Sequence, residues 1–203
     1  MDEKLKNLLN DYYSSYGRAR LDGPPEFLIS EINSSNRADV FDFVIGRETV
    51  SISRETVSFL FLIDDIMALK KLGEKKLFES MSDEAKVEFH MQKYKLDGEL
   101  DFCVTGLIAA FSSSITDARN LAINYFPVKD VKSTWLEQLI TLVNEESDKT
   151  TFIQGVQKVL SIMGFEFGDE EYKKHYIVLR SGDINKKHYL LELMKSIGYS
   201  SSS

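Results

Sequence analysis

LDFCVTGLIAAFSSSITDARNLAINYF, residues 100–126, is the stretch that decides the fold class of this chain. Its apolar side chains recur at intervals of 4, 3, 4, 3, 4 and 3 residues, at Val104, Ile108, Phe111, Ile115, Ala118, Ala122 and Tyr125. Such intervals place all of them on one face of an α-helix. The stretch therefore predicts one continuous helix of about six turns that ends before Pro127.

Start and stop signals on the N-terminal side of this stretch predict further helices. Ser53 and Ser82 can each cap a helix, and Gly73 can end the first of the two. Another helix is expected from Glu3 to about Tyr16. With the periodic segments that follow Pro127, these signals predict a mainly α-helical bundle.

Residues 40–52 are the one place where the pattern favours strands. Val50 and Ile52 alternate with polar residues, which is typical of a strand, so a small β-hairpin is expected over 40–52. The whole chain, 1–203, is expected to form a single helical domain. Its expected parts are an N-terminal helix and irregular connection (1–37), central long helices (53–126) and C-terminal helices (133–198).

The C-terminal helices are expected to be separated by a break at Ser181 and Gly182. Asp183 can then begin the last helix. Its inward face is expected to carry Leu190, Leu193, Met194 and Ile197.

Composition predicts a soluble cytoplasmic protein. The chain has 203 residues, 43% of them hydrophobic, and a single cysteine, Cys103, so a reducing compartment is expected. No apolar run reaches the roughly 18 residues that a membrane span needs. The first residues also lack the basic start and apolar middle of a signal peptide.

Charge is distributed unevenly along the sequence. The net charge is −7, which disfavours non-specific binding of nucleic acid by the molecule as a whole. From Tyr172 to the end, however, six Lys or Arg stand against Asp183 and Glu192, so this part carries +4 and the remainder −11. A local basic surface could therefore meet an anionic partner, and a solvated helical face is the equally open alternative.

Most sequence patterns that hold metals or cofactors are absent. There is no glycine-rich phosphate loop, no pair of cysteines and no His-Glu-x-x-His helix. The three histidines are His90, His175 and His188, too few and too scattered for a histidine-rich metal site. Neither a metal nor a cofactor is therefore expected.

RSGDINKKH, residues 180–188, is the candidate site. Arg180 can hold a phosphate with its planar guanidinium, and His188 can exchange a proton near neutral pH. These two groups are the minimum that metal-independent RNA cleavage requires, because the 2′-hydroxyl of the RNA is itself the nucleophile. Binding roles are expected for Asn185, Lys186 and Lys187. The alternative is an ordinary turn between two helices, in which His188 pairs with Glu192 one turn further on.

Three features together resemble the HEPN domains of prokaryotic defence and toxin systems. They are the long apolar stripe, the tryptophan in STWLEQL and a late Arg, Asn and His before a final apolar helix, and the resemblance covers roughly residues 83–200. It implies a helical bundle that usually dimerises and is often a metal-independent ribonuclease. The family pattern has four to six residues between Arg and His, often beginning Arg-Asn. Here seven residues separate Arg180 from His188, and Ser181 follows the arginine.

Two functions follow from these patterns. The first is a HEPN-like module in a defence or stress system that interacts with partners or associates with RNA, with ribonuclease activity through Arg180 and His188 left open. The alternative is a non-enzymatic helical protein that binds another protein, such as an immunity factor, antitoxin or adaptor. A homodimer is also expected, because GLIAAFSSS (106–114) carries small side chains that allow close helix packing.

Overall fold

The fold is mainly α-helical, as the sequence predicts. The computed structural model describes residues 1–14, 23–181 and 184–199, and within them the chain forms 13 α-helices. The chain separates into two compact units, Met1–Glu99 and Leu100–Ser203. The single domain expected over 1–203 stays a prediction. Among the described residues, no helix is long and apolar enough to cross a membrane.

The first unit contains seven of these helices and one apolar core. The helices are α1 (Glu3–Ser14), α2 (Glu26–Ser30), α3 (Arg37–Gly46), α4 (Arg54–Ile63), α5 (Asp65–Leu72), α6 (Lys75–Glu79) and α7 (Asp83–Asp97). Helix α4 packs against α3, α5 and α7. The core between them includes the fully buried side chains of Leu9, Phe41, Phe59, Leu60 and Leu72.

Both serine caps predicted in this unit are confirmed. The Ser53 side chain accepts a hydrogen bond from the backbone N–H of Thr56, and Ser82 does the same for Ala85. The single helix expected between Ser53 and Gly73 is wrong, because Asp64 interrupts it. The backbone of Asp64 is extended, and its carboxylate caps α5 by accepting from the N–H of Met67 at 2.8 Å.

The β-hairpin predicted over 40–52 is also wrong. Residues up to Gly46 belong to α3, and among the described residues the strand-like pairing is limited to one isolated parallel bridge between Ile52 and Met81. In that bridge the N–H of Ile52 donates to the carbonyl of Ser80, and the N–H of Ser82 donates to Ile52. The alternation at Val50 and Ile52 leaves Val50 in solvent and buries Ile52.

The second unit contains the remaining six helices. They are α8 (Leu100–Ala110), α9 (Thr116–Tyr125), α10 (Ser133–Glu145), α11 (Lys149–Ile162), α12 (Glu170–Arg180) and α13 (Lys186–Ser196). Helices α10 and α11 pack on each other; α9 and α12 pack on α11, and α13 packs on α10. Buried side chains between them include Phe126, Leu136, Leu139, Val156 and Leu160.

The apolar stripe of residues 100–126 forms two helices, so the prediction of one continuous helix is wrong. The chain leaves the helical path after Ala110 and resumes it at Thr116. Serine side chains compete with helical hydrogen bonds, and the Ser113 hydroxyl accepts from the N–H of Ile115 at 3.0 Å. Ile115, which the stripe would bury, is 46% exposed.

The last helix agrees with the prediction only in part. Leu190 and Met194 are buried, but Ile197 is 41% exposed and lies outside the helix, which ends at Ser196. The expected helix start at Asp183 lies outside the described residues, as does the expected end of the first helix at Tyr16.

Replacing Gly155 by Ala is expected to lower the free energy of unfolding by up to about 2 kcal/mol. A Cβ atom at this position of α11 would lie 2.6 Å from Cγ2 of Val143 on α10. Such overpacking costs about 1–3 kcal/mol, and the helix propensity of alanine offsets about 1 kcal/mol of it. Urea unfolding followed by circular dichroism measures the change.

Gly46→Ala is the matched control, because a Cβ there meets nothing within 4 Å. It is expected to leave the stability unchanged or slightly raised. Equal stability of the Gly155→Ala and Gly46→Ala variants would show that α10 and α11 do not approach each other as described.

Candidate functional site

Arg180 and His188 lie on two successive helices of the second unit. Arg180 is the last residue of α12, and His188 is in the first turn of α13. The segment between the helices includes Gly182 and Asp183, which lie outside the described residues. Arg180 and His188 are both exposed to solvent.

Two cations near this segment lie over aromatic rings. The Arg180 guanidinium carbon is 5.6 Å from the centroid of the Tyr176 ring, and Nζ of Lys186 is 4.2 Å from the centroid of the Phe152 ring. Both rings are half-buried. Pairs of this kind are favourable and leave part of the cation available to solvent or to an anion.

Asn185 has a structural task at this position. Its side-chain oxygen accepts a hydrogen bond from the backbone N–H of His188 at 3.0 Å and caps α13. The backbone N–H of Lys187 donates to Oδ1 of Asn144, at the C-terminal end of α10. These two hydrogen bonds fix the start of α13 on the body of the unit. The amide nitrogen of Asn185 can still donate to a ligand.

His188 has an acidic neighbour on its own helix. The pKa of Glu192 is lowered, first by its hydrogen bond to Lys195 at 2.8 Å and also by the nearby His188. The pairing of His188 with Glu192 that the sequence left open as an alternative stays a prediction. In the described part of the chain, no hydrogen bond or ion pair joins His188 to Arg180. Their joint role stays a prediction.

Half of the basic residues in the C-terminal part are paired on their own helices. Lys173 pairs with Glu170 at 2.7 Å, Lys174 with Glu171 at 3.6 Å, and Lys195 with Glu192 at 2.8 Å. Among the described residues, no ion pair is formed by Arg180, Lys186 or Lys187. The unpaired positive charge is therefore concentrated where α12 ends and α13 begins.

A partly buried His–Tyr pair is the feature that sequence reasoning missed. Nδ1 of His175 on α12 lies 2.6 Å from the hydroxyl of Tyr189 on α13, and Nε2 faces the Glu171 carboxylate at 3.6 Å. His175 is 8% exposed, and its ring centroid is 4.7 Å from that of Phe165. Burial lowers the pKa of His175, which Glu171 opposes. No periodic signal connects residues 14 positions apart across a break.

A buried ion pair closes the break between α8 and α9. Nε and Nη2 of Arg119 lie 2.7 and 3.1 Å from the two carboxylate oxygens of Glu146, and Nη1 donates to the carbonyl of Ser113 at 2.8 Å. This pair borders a cavity of about 610 Å³ that is also lined by Ser112 and Thr141. Its bonds are all structural, and none of the predicted site residues lines the cavity.

A metal-binding cluster is absent from the residues that the structure describes. No group of three or more His, Cys, Asp or Glu side chains there could hold a metal ion. Cys103, the single cysteine of the sequence, is buried.

Comparison with known proteins finds a partial similarity. A stretch of 77 residues, 37% of this chain, is 36% identical to a V-type proton ATPase subunit from Manduca sexta. The matched part is only 20% of the length of that protein. No family model matches the chain, and no solved structure matches it significantly.

Proposed function

We propose that this protein is a HEPN-like helical module of a cytoplasmic defence or stress system that associates with RNA. The contact surface in this proposal is the basic–aromatic surface, defined as Phe152, Tyr176, Arg180, Lys186, Lys187 and His188. The observation that carries the proposal is the pair of cation–aromatic contacts, Arg180 over Tyr176 and Lys186 over Phe152, at the two ends of one short segment.

Cations interleaved with aromatic rings suit single-stranded RNA. Lysine and arginine neutralise phosphates and release counterions. The Tyr176 ring is itself stacked on Tyr172, so the plane of the Arg180 guanidinium above it is the surface on which a base can stack. Because the whole chain carries −7, binding has to be local and is expected to weaken steeply with added salt. With Lys173, Lys174 and Lys195 paired on their own helices, Arg180, Lys186 and Lys187 are the cations after Tyr172 that form no ion pair among the described residues.

Ribonuclease activity is the finer part of the proposal. In metal-independent cleavage the 2′-oxygen bonds to the adjacent phosphorus, and the bond from phosphorus to the 5′-oxygen breaks. The 2′-hydroxyl loses its proton, and the departing 5′-oxygen gains one. His188 is the group that takes and returns the proton. Arg180 would hold the negative charge that develops on the phosphate oxygens.

RNA binding is tested by fluorescence anisotropy with a labelled single-stranded oligoribonucleotide. Lys186→Gln combined with Lys187→Gln is expected to weaken binding about tenfold or more at low salt. It should also reduce the slope of log K against log salt by about 1.4, since each single-strand phosphate contact contributes about 0.7. Lys75→Gln combined with Lys76→Gln is the matched control, because it removes the same charge from exposed lysines of the first unit. Equal weakening by both double variants would refute a local surface.

Cleavage is measured in the presence of EDTA with the same RNA. His188→Ala is expected to lower the rate by a factor of about 10² to 10⁴, and Arg180→Lys should also impair it because a point charge lacks the planar fork. If RNA binds but wild type and both variants cleave at the same background rate, the protein is an RNA-associated module without this activity.

A second candidate function is binding of another protein. Leu62, Ile66 and Leu96 of the first unit are 57%, 76% and 43% exposed. Leu62 and Leu96 line a cavity of about 510 Å³ whose lining also includes Phe59. Exposed apolar residues around a concavity are typical of protein contacts, and the protein that matches in part is, by its name, one component of an assembly. This candidate gains if the folded wild-type protein does not bind RNA.

A further inference from the structure

The two halves of the basic–aromatic surface belong to helices that pack on different neighbouring helices. Helix α12, which carries Tyr176 and Arg180, packs on α11, whereas α13, which carries Lys186, Lys187 and His188, packs on α10. Helices α10 and α11 pack on each other, and a direct bond between α12 and α13 would add to that packing in fixing the separation of the two halves. The hydrogen bond between His175 and Tyr189, 2.6 Å long, is such a bond.

The position of this hydrogen bond suits that task. His175 precedes Arg180 by five residues, about 7.5 Å along the helix, and Tyr189 directly follows His188. The Tyr189 hydroxyl donates to Nδ1 of His175 if the ring proton is on Nε2, where it faces the Glu171 carboxylate at 3.6 Å. This assignment satisfies Nδ1 with a hydrogen bond and directs the Nε2 proton toward the Glu171 carboxylate.

We propose that His175 and Tyr189 are positioning residues that hold the two halves of the basic–aromatic surface at the separation RNA requires. The inference rests on the proposed RNA association. In it, His175 and Tyr189 support the surface without contacting RNA themselves. The groups facing the His175 ring are Glu171 and Lys174 on its own helix, Tyr189 on α13 and the uncharged ring of Phe165. The neutral imidazole is the form that accepts from Tyr189, so the bond is in place above the pKa of His175.

Tyr189→Phe tests this role, because it keeps the ring and removes only the hydroxyl. We expect RNA affinity to fall about 3- to 10-fold, the equivalent of one neutral hydrogen bond. Tyr199→Phe is the matched control, since the Tyr199 hydroxyl donates to the carbonyl of Val131 at 2.7 Å in the same unit. It should lower the melting temperature similarly and leave RNA affinity unchanged.

A double-mutant cycle separates positioning from a merely structural role. If Tyr189 acts by placing the lysines of α13, its replacement should have little further effect once Lys186→Gln and Lys187→Gln are present. Additive losses, or equal affinities of Tyr189→Phe and wild type, would overturn the positioning role and leave RNA association intact. Failure of wild type to bind RNA would instead overturn the proposed function.

NMR titration of the His175 ring provides a readout that does not depend on RNA. Tyr189→Phe is expected to raise the pKa of His175, because the neutral form loses the hydroxyl that donates to it. An unchanged His175 titration would show that the hydrogen bond is not formed in solution and would overturn the inference by itself.

Discussion

Replacing Arg119 by Leu is expected to lower the free energy of unfolding by about 3–5 kcal/mol. The Glu146 side chain is 3% exposed, and its two oxygens are held by the Arg119 guanidinium at 2.7 and 3.1 Å. Removing the arginine leaves a buried carboxylate without its counter-charge and frees the Ser113 carbonyl at the break between α8 and α9. Urea unfolding at pH 7, followed by circular dichroism, measures the loss.

Two further variants make this result specific. Lys195→Met removes an exposed pair with Glu192 and is expected to cost about 1 kcal/mol or less. Arg119→Leu combined with Glu146→Leu should recover part of the loss, because no charge then stays buried without a partner. A cost for Arg119→Leu as small as that of Lys195→Met would mean that the ion pair is open to water.

The Arg119–Glu146 pair also makes the stability of the protein depend on pH. Burial pushes the pKa of Glu146 upward, but the hydrogen bonds from Arg119 and from the backbone outweigh it, so the folded-state pKa is lowered. The stabilisation is thus present above the unfolded-state pKa and is lost as the pH falls through the lowered one.

Between pH 7 and pH 5 the wild type is expected to lose about 2 kcal/mol of stability through His90. The His90→Phe variant is expected not to show this loss. Burial, and next the charge of Lys93, lower the pKa of His90 from 6.5 to about 4. As the pH falls below 6.5 the unfolded chain takes up a proton that the folded chain refuses until about pH 4, so stability falls across this window. The full difference is about 3 kcal/mol at 1.36 kcal/mol per pKa unit.

Urea unfolding of both proteins at pH 8, 7 and 5 checks this expectation. Between pH 8 and pH 7 the two stability curves should run nearly parallel, because His90 is neutral in both the folded and the unfolded chain. Between pH 7 and pH 5 the wild type should lose more. Parallel curves over the whole range would mean that His90 is accessible to protons in the folded state, contrary to its 9% exposure.

Helix breaks were the least predictable part of the fold. The spacing of apolar residues in 100–126 continues in phase across the break at 111–115, so periodicity alone cannot detect it. The break depends on hydrogen bonds of Ser113 and on the pairing of Arg119 with Glu146, which is 27 residues away in sequence. Caps were predictable at Ser53 and Ser82, because a cap depends on residues three positions apart.

One pentapeptide shows that local sequence alone does not determine the backbone conformation. RETVS occurs at 47–51, where it follows the end of α3 as irregular chain, and again at 54–58, where it is the start of α4. The second copy follows the capping residue Ser53, whereas the first follows Gly46. The glutamate of the first copy, Glu48, accepts hydrogen bonds from the hydroxyls of Ser53 and Thr56. Neighbouring residues decide between the two conformations.

The candidate site was predictable in residue type but not in geometry. Sequence identified the concentration of charge at 180–188, and it missed that Asn185 caps α13 and that Lys186 lies over Phe152. It also assigned no role to His175. Contacts such as His175 with Tyr189 depend on how α12 and α13 dock on other helices, which no local pattern records.

Chemical-shift mapping is the most direct test of RNA association through the basic–aromatic surface. Isotopically labelled protein is titrated with a short single-stranded RNA at low salt, and backbone and aromatic signals are followed. The account predicts that the largest shifts fall on Tyr176, Arg180 and residues 186–188, with the Phe152 ring affected as well. Shifts confined to residues 1–99 would contradict it. So would the absence of shifts when RNA and protein are both present at millimolar concentration.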